Sequence, residues 1–480
     1  MLKKIASCCI RNIRSHPVGT CECDNSEAVP KVVVLADSGR FANIHPGLSH
    51  GEALRILSLP VEQLDSSSDL YMAASHLINF PGQPSERALL ELLGNSDSRQ
   101  AVRLAKRKAV EVLARLGCGA AQEIIGDCLL SEDHYLVENA AWALQQLECR
   151  DGALHQRMVA LLADPAQNRR VLIQSLAGLG VSQALPMIQQ LQDDQNPGVS
   201  GAALAAVAKL SGSSQRISEL ADHFFLPNQM DRQSAIQDAI DASASELLPQ
   251  ILRSPVSPVF RMRALGLLWQ AHNLEDSGLS LVGSVESLLW DSPANLDLVH
   301  RYDEVPDNLF LVNELFGTDF SRCYLALSHL KFVPSDKLWP LLDQRWREEA
   351  YNDYGANYFF LKLFGSIQYW GEAQLMVEDL CESAIHNRRP QFQKSRPAGI
   401  LALVQLNQKR LASLIPDLID AEKESNWECR YAALVAQEMM LKANAGSSDC
   451  LCRDLGLTGT DPHRFVQAKK ISMQSLFVDL

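Results

Sequence analysis

Between Asn295 and Leu330 the chain reads NLDLVHRYDEVPDNLFLVNELFGTDFSRCYLALSHL, and side chains able to do chemistry crowd into it. His300, Arg301, Tyr302, Asp303 and Glu304 run consecutively up to Pro306. Asp319, Arg322 and Cys323 follow at the spacing that puts residues on one helix face. A guanidinium clamps carboxylates with paired hydrogen bonds, a carboxylate accepts from N–H groups, and an imidazole or phenol carries protons. A second cluster, Tyr351, Asp353, Tyr354, Asn357 and Tyr358 around Gly355, offers rings that stack on a conjugated plane. Together these residues suit a flat conjugated ligand bearing carboxylates, or a protein partner. The chain has no G-x-S-x-G, G-x-x-x-x-G-K, H-E-x-x-H or strand-linked G-x-G-x-x-G, which argues against a standard hydrolase, kinase or dehydrogenase.

The elements that must position these residues are helices. From about Gly51, apolar residues recur at i, i+3, i+4 and i+7, while runs of alternating β-branched residues are nearly absent. The endings LARLG at Leu113, LQQLE at Leu144, LAGLG at Leu176 and VAKLS at Val207 place their second leucines at Leu116, Leu147, Leu179 and Leu210. The period is about 31 residues with two helices in each unit, which is HEAT-like. We therefore expect an all-α superhelical solenoid with a concave ligand groove. Its parts are a loosely ordered lead-in over 1–50, a repeat array over 51–295, an aromatic and charged insertion over 296–365 as the binding site, and C-terminal HEAT-like helices with a polar tail over 366–480.

Composition narrows the partners. Hydrophobic residues make up 47% of the 480, and 44 Lys and Arg against 57 Asp and Glu leave a formal charge of -13. That balance disfavours nucleic acid or an anionic membrane as the main partner. The 12 cysteines form no C-x-x-C pair, so no metal is expected. Arg11 and Arg14 interrupt the apolar start before it reaches signal-peptide length, and no window nears the roughly 20 apolar residues of a membrane span. A reducing cytosol is the expected location.

In YLVENAAWALQQL, Val137, Ala140, Ala141, Leu144 and Leu147 make a core stripe. The neighbouring face carries Tyr135, Glu138, Asn139 and Trp142, with Arg107, Lys108 and Arg170 at the matching places of adjacent repeats. Either this face lines the groove, or its charges are solvated and Trp142 belongs to the core. Arg261, Arg263 and Trp269 in SPVFRMRALGLLWQ resemble another groove-facing set.

The phrases DHYLVENAAWALQQL, RMRALGLLWQ, DLVHRYDEVPDNLFLVNELFGTDFSRCYLAL, YNDYGANYFFLKLFG and NWECRYAALVA resemble the E/F-type phycobilin lyases of cyanobacteria, over roughly Gly51 to Leu441. Within that family the chain looks closest to the long single-chain lyases and lyase-isomerases of phycoerythrins. The N-H-C-Q-G-N motif of the small two-chain isomerising enzymes is absent, NWECRY at Asn426 being the nearest text, which leaves isomerisation to phycourobilin open.

The resemblance implies an open-chain tetrapyrrole, phycoerythrobilin, as substrate with no resident cofactor. Its expected destination is a cysteine of an apo-phycoerythrin subunit, the α subunit by resemblance. On that reading Asp319 accepts from the pyrrole N–H groups; if the bilin is also isomerised, Tyr302, Asp303 and Tyr354 serve as acid and base, the alternative being that the tyrosines only pack the bilin. Arg261, Arg263, Arg301 and Arg322 meet the propionates, while Glu138, Trp142, Trp269 and His300 complete the bilin site. A buried structural thiol accounts for Cys323 more simply than a transient bilin carrier. A bilin chaperone and a non-catalytic HEAT adaptor are the competing functions.

Overall fold

The computed structural model describes residues 47–269, 278–444 and 460–478. Nearly all of the expected lead-in lies outside the described residues, as do Cys8, Cys9, Cys21, Cys23, Cys450 and Cys452. Among the described residues every regular element is helical, and none is long and apolar enough to cross a membrane. The fold is an all-α, HEAT-like stack.

The repeated leucines act as helix stops. Helix Gln100–Arg115 ends with Cys118 N–H donating to Leu113 O at 3.1 Å and Gly117 N–H to Ala114 O, a Schellman cap. The same pair of bonds closes His134–Gln146, Arg169–Gly178 and Gln229–Asp241, through Cys149 to Leu144, Val181 to Leu176 and Ala244 to Ala239. Each cap needs one residue at positive φ. Gly117 and Gly180 take it at 72°, whereas Glu148 at 50° and Ser243 at 56° adopt it without glycine's freedom. Cys118 and Cys149 are the buried residues just beyond two of these caps, which gives both thiols a packing role.

Helix starts are marked as regularly. Asp133, Asn168, Asn196, Asn228, Asp319 and Asp353 each cap a helix by accepting from a first-turn N–H group. Gln100–Arg115, His134–Gln146, Arg169–Gly178, Pro197–Ser211, Gln229–Asp241 and Pro258–Leu268 then stack each on the next. Their apolar faces form two cores, one from Ala53 to Val207 and one from Leu204 to Met473. Helix Pro197–Ser211 contributes to both.

In the second core, Phe320–Leu330 packs on Tyr354–Ser366, which packs on Ser395–Leu406, which packs on Trp427–Asn444. Helices from residues 296–365 thus share one core with helices before and after them. Gly365 permits a close backbone crossing, since a Cβ there would fall 2.7 Å from Ala402 Cα. Of the stretch read as a polar tail, residues 464–478 form a helix against Leu281–Trp290 and Trp427–Asn444. Lys469 anchors it, donating to Glu286 at 2.6 Å and to Glu438.

Candidate functional site

The N-cap of helix Phe320–Leu330 is the centre of the site. Asp319 Oδ1 accepts from Ser321 N–H at 2.9 Å, as a capping aspartate does, and also from Arg232 Nη2 at 2.5 Å. Arg232 is fully buried and spends its other terminal nitrogen on Leu226 O and Pro227 O. Its guanidinium is therefore a fixed counter-charge rather than a ligand clamp. Asp319 Oδ2 has only His300 Nε2, at 4.0 Å, as a neighbouring charge partner among the described residues. One carboxylate oxygen is thus held in place with its accepting capacity unspent.

The segment before this helix is folded back over it. Val299 N–H donates to Ser321 Oγ at 3.1 Å, while Gln229 bonds both Thr318 O and the Phe320 N–H. That folding carries His300 and Tyr302 to the site. The Tyr302 ring packs edge-on to Phe310 at 6.3 Å and tilted against His329 at 5.7 Å. Tyr302 Oη and His300 Nδ1 are buried without a hydrogen-bond partner among the described residues. Such orphaned groups cost about 1–3 kcal/mol each unless something else bonds them. Burial pushes the Tyr302 phenol up to about 12, so it is a hydroxyl that donates rather than a phenolate that accepts.

A second cluster adjoins the first through Phe320. Lys394, just before helix Ser395–Leu406, holds Nζ 4.6 Å from the Phe320 ring, 4.9 Å from Tyr358 and 5.6 Å from Tyr354. Burial brings this lysine down to about 8. Beneath the rings sits Asp291, buried and at φ 39°. It accepts from Arg261 Nη2 at 2.5 Å, Tyr324 Oη at 2.6 Å and Tyr358 Oη at 2.5 Å.

Several expected site residues stand elsewhere. Arg261 is 2% exposed and committed to Asp291, Tyr324 and Leu252 O, so it holds the core rather than a propionate. Arg263 is half-buried and donates to Gln237 at 2.7 Å. Trp269 ends its helix against the second core, and Trp142 packs on the first with Arg115 over its ring at 5.6 Å. Arg301 and Asp303 are exposed on the segment outside Tyr302. Arg322 is near the site and 48% exposed, yet it is bonded twice to Glu314, at 2.7 and 3.1 Å. Tyr354 is exposed at the rim of the Lys394 cluster. Cys323 is fully buried against Glu314 O, and burial raises its thiol to about 12, which makes it a packing residue.

Glu138 lines a separate cleft of about 440 Å³ with Arg103, Arg107, Asp133, His134 and Tyr135. There the charges answer one another. Arg107 makes bonds of 2.7 and 2.8 Å to Asp133 and lies 4.6 Å from the Tyr135 ring, and Asn139 donates to Arg107 O. Arg170 likewise reaches two repeats on to grip Asp238 at 2.6 and 2.8 Å.

Sequence reading missed Arg232, Asp291 and Lys394. Each acquires its role from residues far along the chain, and the only local signal was a charged residue beside an apolar helix.

No protein-family model matches the chain. A bilin biosynthesis protein, CpeY, of Synechococcus sp. (strain WH8020) is 42% identical over 407 residues, spanning 84% of this chain and 97% of that protein. An uncharacterized phycocyanin operon protein Y of Pseudanabaena tenuis (strain PCC 7409) is 35% identical over 394 residues, 82% of this chain and 92% of that one. Among solved structures, the complex of CpcE and CpcF of phycocyanin lyase from Nostoc sp. PCC7120 matches with a TM-score of 0.42 and 22% identity, covering 53% of this chain and all of that one. With relatives this similar over nearly their whole length, the chain belongs to the E/F-type phycobilin lyase family.

Proposed function

We propose that this protein is a phycobilin lyase that joins phycoerythrobilin, as substrate, to a cysteine of a phycoerythrin subunit, with the α subunit as client. The observation that carries the reading is the unspent Oδ2 of Asp319, in a carboxylate fixed by Arg232 and flanked by His300 Nδ1 and Tyr302 Oη, which have no hydrogen-bond partner among the described residues. A row of pyrrole N–H donors would meet that oxygen. A carboxylate there favours the cationic bilin, which makes the ring-A ethylidene a better electrophile.

The client thiol then adds across the ethylidene double bond. A C–S bond forms at the exocyclic carbon, the S–H bond breaks, and its proton ends on the adjoining ring carbon. No oxidant or reductant is consumed. The protein contributes orientation and proton control, with Tyr302 as a neutral donor at the edge of the site. Isomerisation to phycourobilin would add a double-bond shift from C4=C5 to C2=C3, in which the hydrogens on C2 and C3 of ring A leave and C4 and C5 each gain one, with no net oxidation or reduction.

The test is co-expression with phycoerythrobilin-synthesising enzymes and a panel of phycoerythrin α and β subunits, followed by absorbance of the denatured, purified subunits. Covalent phycoerythrobilin on an α subunit is expected, and a phycourobilin spectrum would add isomerisation. Pigment that stays on this protein with none on any subunit would replace the lyase by a bilin chaperone. Asp319→Asn should lower transfer per folded molecule by about ten- to a hundredfold: asparagine still caps the helix, and normalising to folded protein removes the stability lost when buried Arg232 loses its countercharge. Unchanged transfer would remove Asp319 from the mechanism.

A further inference from the structure

Among the described residues, buried Lys469 and half-buried Lys108 and Lys362 are matched by acceptors, whereas half-buried Lys394 is not. Lys108 bonds Glu111, Lys469 bonds Glu286 and Glu438, and Lys362 donates to Trp290 O. Lys394 has three aromatic faces and, among the described residues, no hydrogen-bond acceptor or carboxylate within ion-pair distance. Of the carboxylates around it, Asp291 is engaged by Arg261 and two tyrosines and Asp353 by the N–H groups of Gly355 and Ala356, while burial raises the Glu428 carboxyl in the same cavity to about 7, which weakens it as a countercharge. Aromatic faces attract an ammonium but leave its charge unneutralised. An uncompensated cation away from water costs several kcal/mol and persists where something else supplies the countercharge.

The surroundings are built to receive one. Lys394 lines a small cavity with Pro258, Val259, Met262, Tyr358 and Glu428, whose free volume of about 20 Å³ is enough for one water. Val259 and Tyr354 are both exposed, which brings the cluster to the surface. Asp319 and Phe320 are consecutive, and Nζ lies 4.6 Å from the Phe320 ring. An anionic group at Lys394 and a donor-rich group at Asp319 would therefore sit on one ligand.

We propose that Lys394 is the subsite for a ligand carboxylate, which in an open-chain tetrapyrrole is a propionate. The assignment rests on the bilin reading above and takes over the role that Arg261, buried on Asp291, does not fill. A charge-assisted hydrogen bond in this setting supports about a tenfold or greater preference for the acid over its ester.

The experiment is an absorbance titration of the full chain with phycoerythrobilin and with its propionate dimethyl ester. Wild type should bind the acid more tightly, and Lys394→Met should cut the acid-to-ester preference by about tenfold. Lys394→Gln, a polar replacement, should do the same if the Met variant does not fold, whereas Lys394→Arg should keep part of the preference. An unchanged preference in a folded neutral variant overturns the subsite and leaves the bilin reading standing. Equal binding of acid and ester by wild type also overturns it. If wild type binds neither form, the bilin reading itself fails, and the subsite with it.

Discussion

Asp133 and Asp319 are built alike and finished differently. Each caps a helix, and each receives an arginine from a neighbouring helix, Arg107 in one case and Arg232 in the other. At Asp133 both oxygens are used, Oδ1 by Arg107 and Tyr135 N–H and Oδ2 by a second bond from Arg107, with Arg103 at 3.6 Å. At Asp319 one oxygen takes both bonds and the other faces His300 across 4.0 Å. A repeat fold makes the first arrangement for its own cohesion. Leaving half of the second undone adds nothing to stability, and so points to a ligand.

The largest effect should come from the buried polar centre beneath the site. Asp291→Asn keeps the left-handed backbone conformation but strips Arg261 of its countercharge, and should cost about 3–5 kcal/mol in urea denaturation. A loss under 1 kcal/mol would mean that Arg261 finds another partner. The next effect separates the paired aspartates. Asp133→Asn should lower stability by about 1–2 kcal/mol and leave transfer per folded molecule unchanged, in contrast to the loss at Asp319. Transfer that falls equally in both variants would dissolve the distinction between the two clusters.

The smallest effect belongs to Tyr302, whose hydroxyl bonds nothing described. Tyr302→Phe should leave stability near neutral pH within about 0.5 kcal/mol, or raise it. The phenol is raised from its ordinary 10 to about 12, so the folded state binds more protons than the unfolded one in that window. Wild type should then lose stability relative to Tyr302→Phe as pH rises from 10 to 12. Parallel alkaline denaturation curves would show that the phenol is not held protonated by its surroundings.

How much of this could be read from sequence depends on how far apart the interacting residues lie. The leucine-ended repeats were legible because a Schellman cap is written within six residues, and Leu113 to Cys118 carries one whole. Asp319 was legible as a helix-face carboxylate, but Arg232, 87 residues earlier, was not. Arg261, expected as a propionate clamp, is taken up by Asp291, which lies 30 residues on in the sequence. Nothing near Lys394 announces a cage assembled from Phe320, Tyr354 and Tyr358. Spacing describes one helix at a time, whereas charge neutralisation is settled between helices.

Helix Pro197–Ser211 belongs to both cores, and that has a bearing on how the molecule comes apart. Stability in a stacked array is approximately a sum of units and their nearest-neighbour interfaces, so a helix shared by two blocks is the seam through which they support each other. The Asp319 and Lys394 clusters both lie in the block after that seam. A ligand held there protects its own block directly and the earlier repeats only through this one helix. Amide exchange should slow unevenly on ligand binding, with the change fading across residues 197–211 toward the N-terminal repeats.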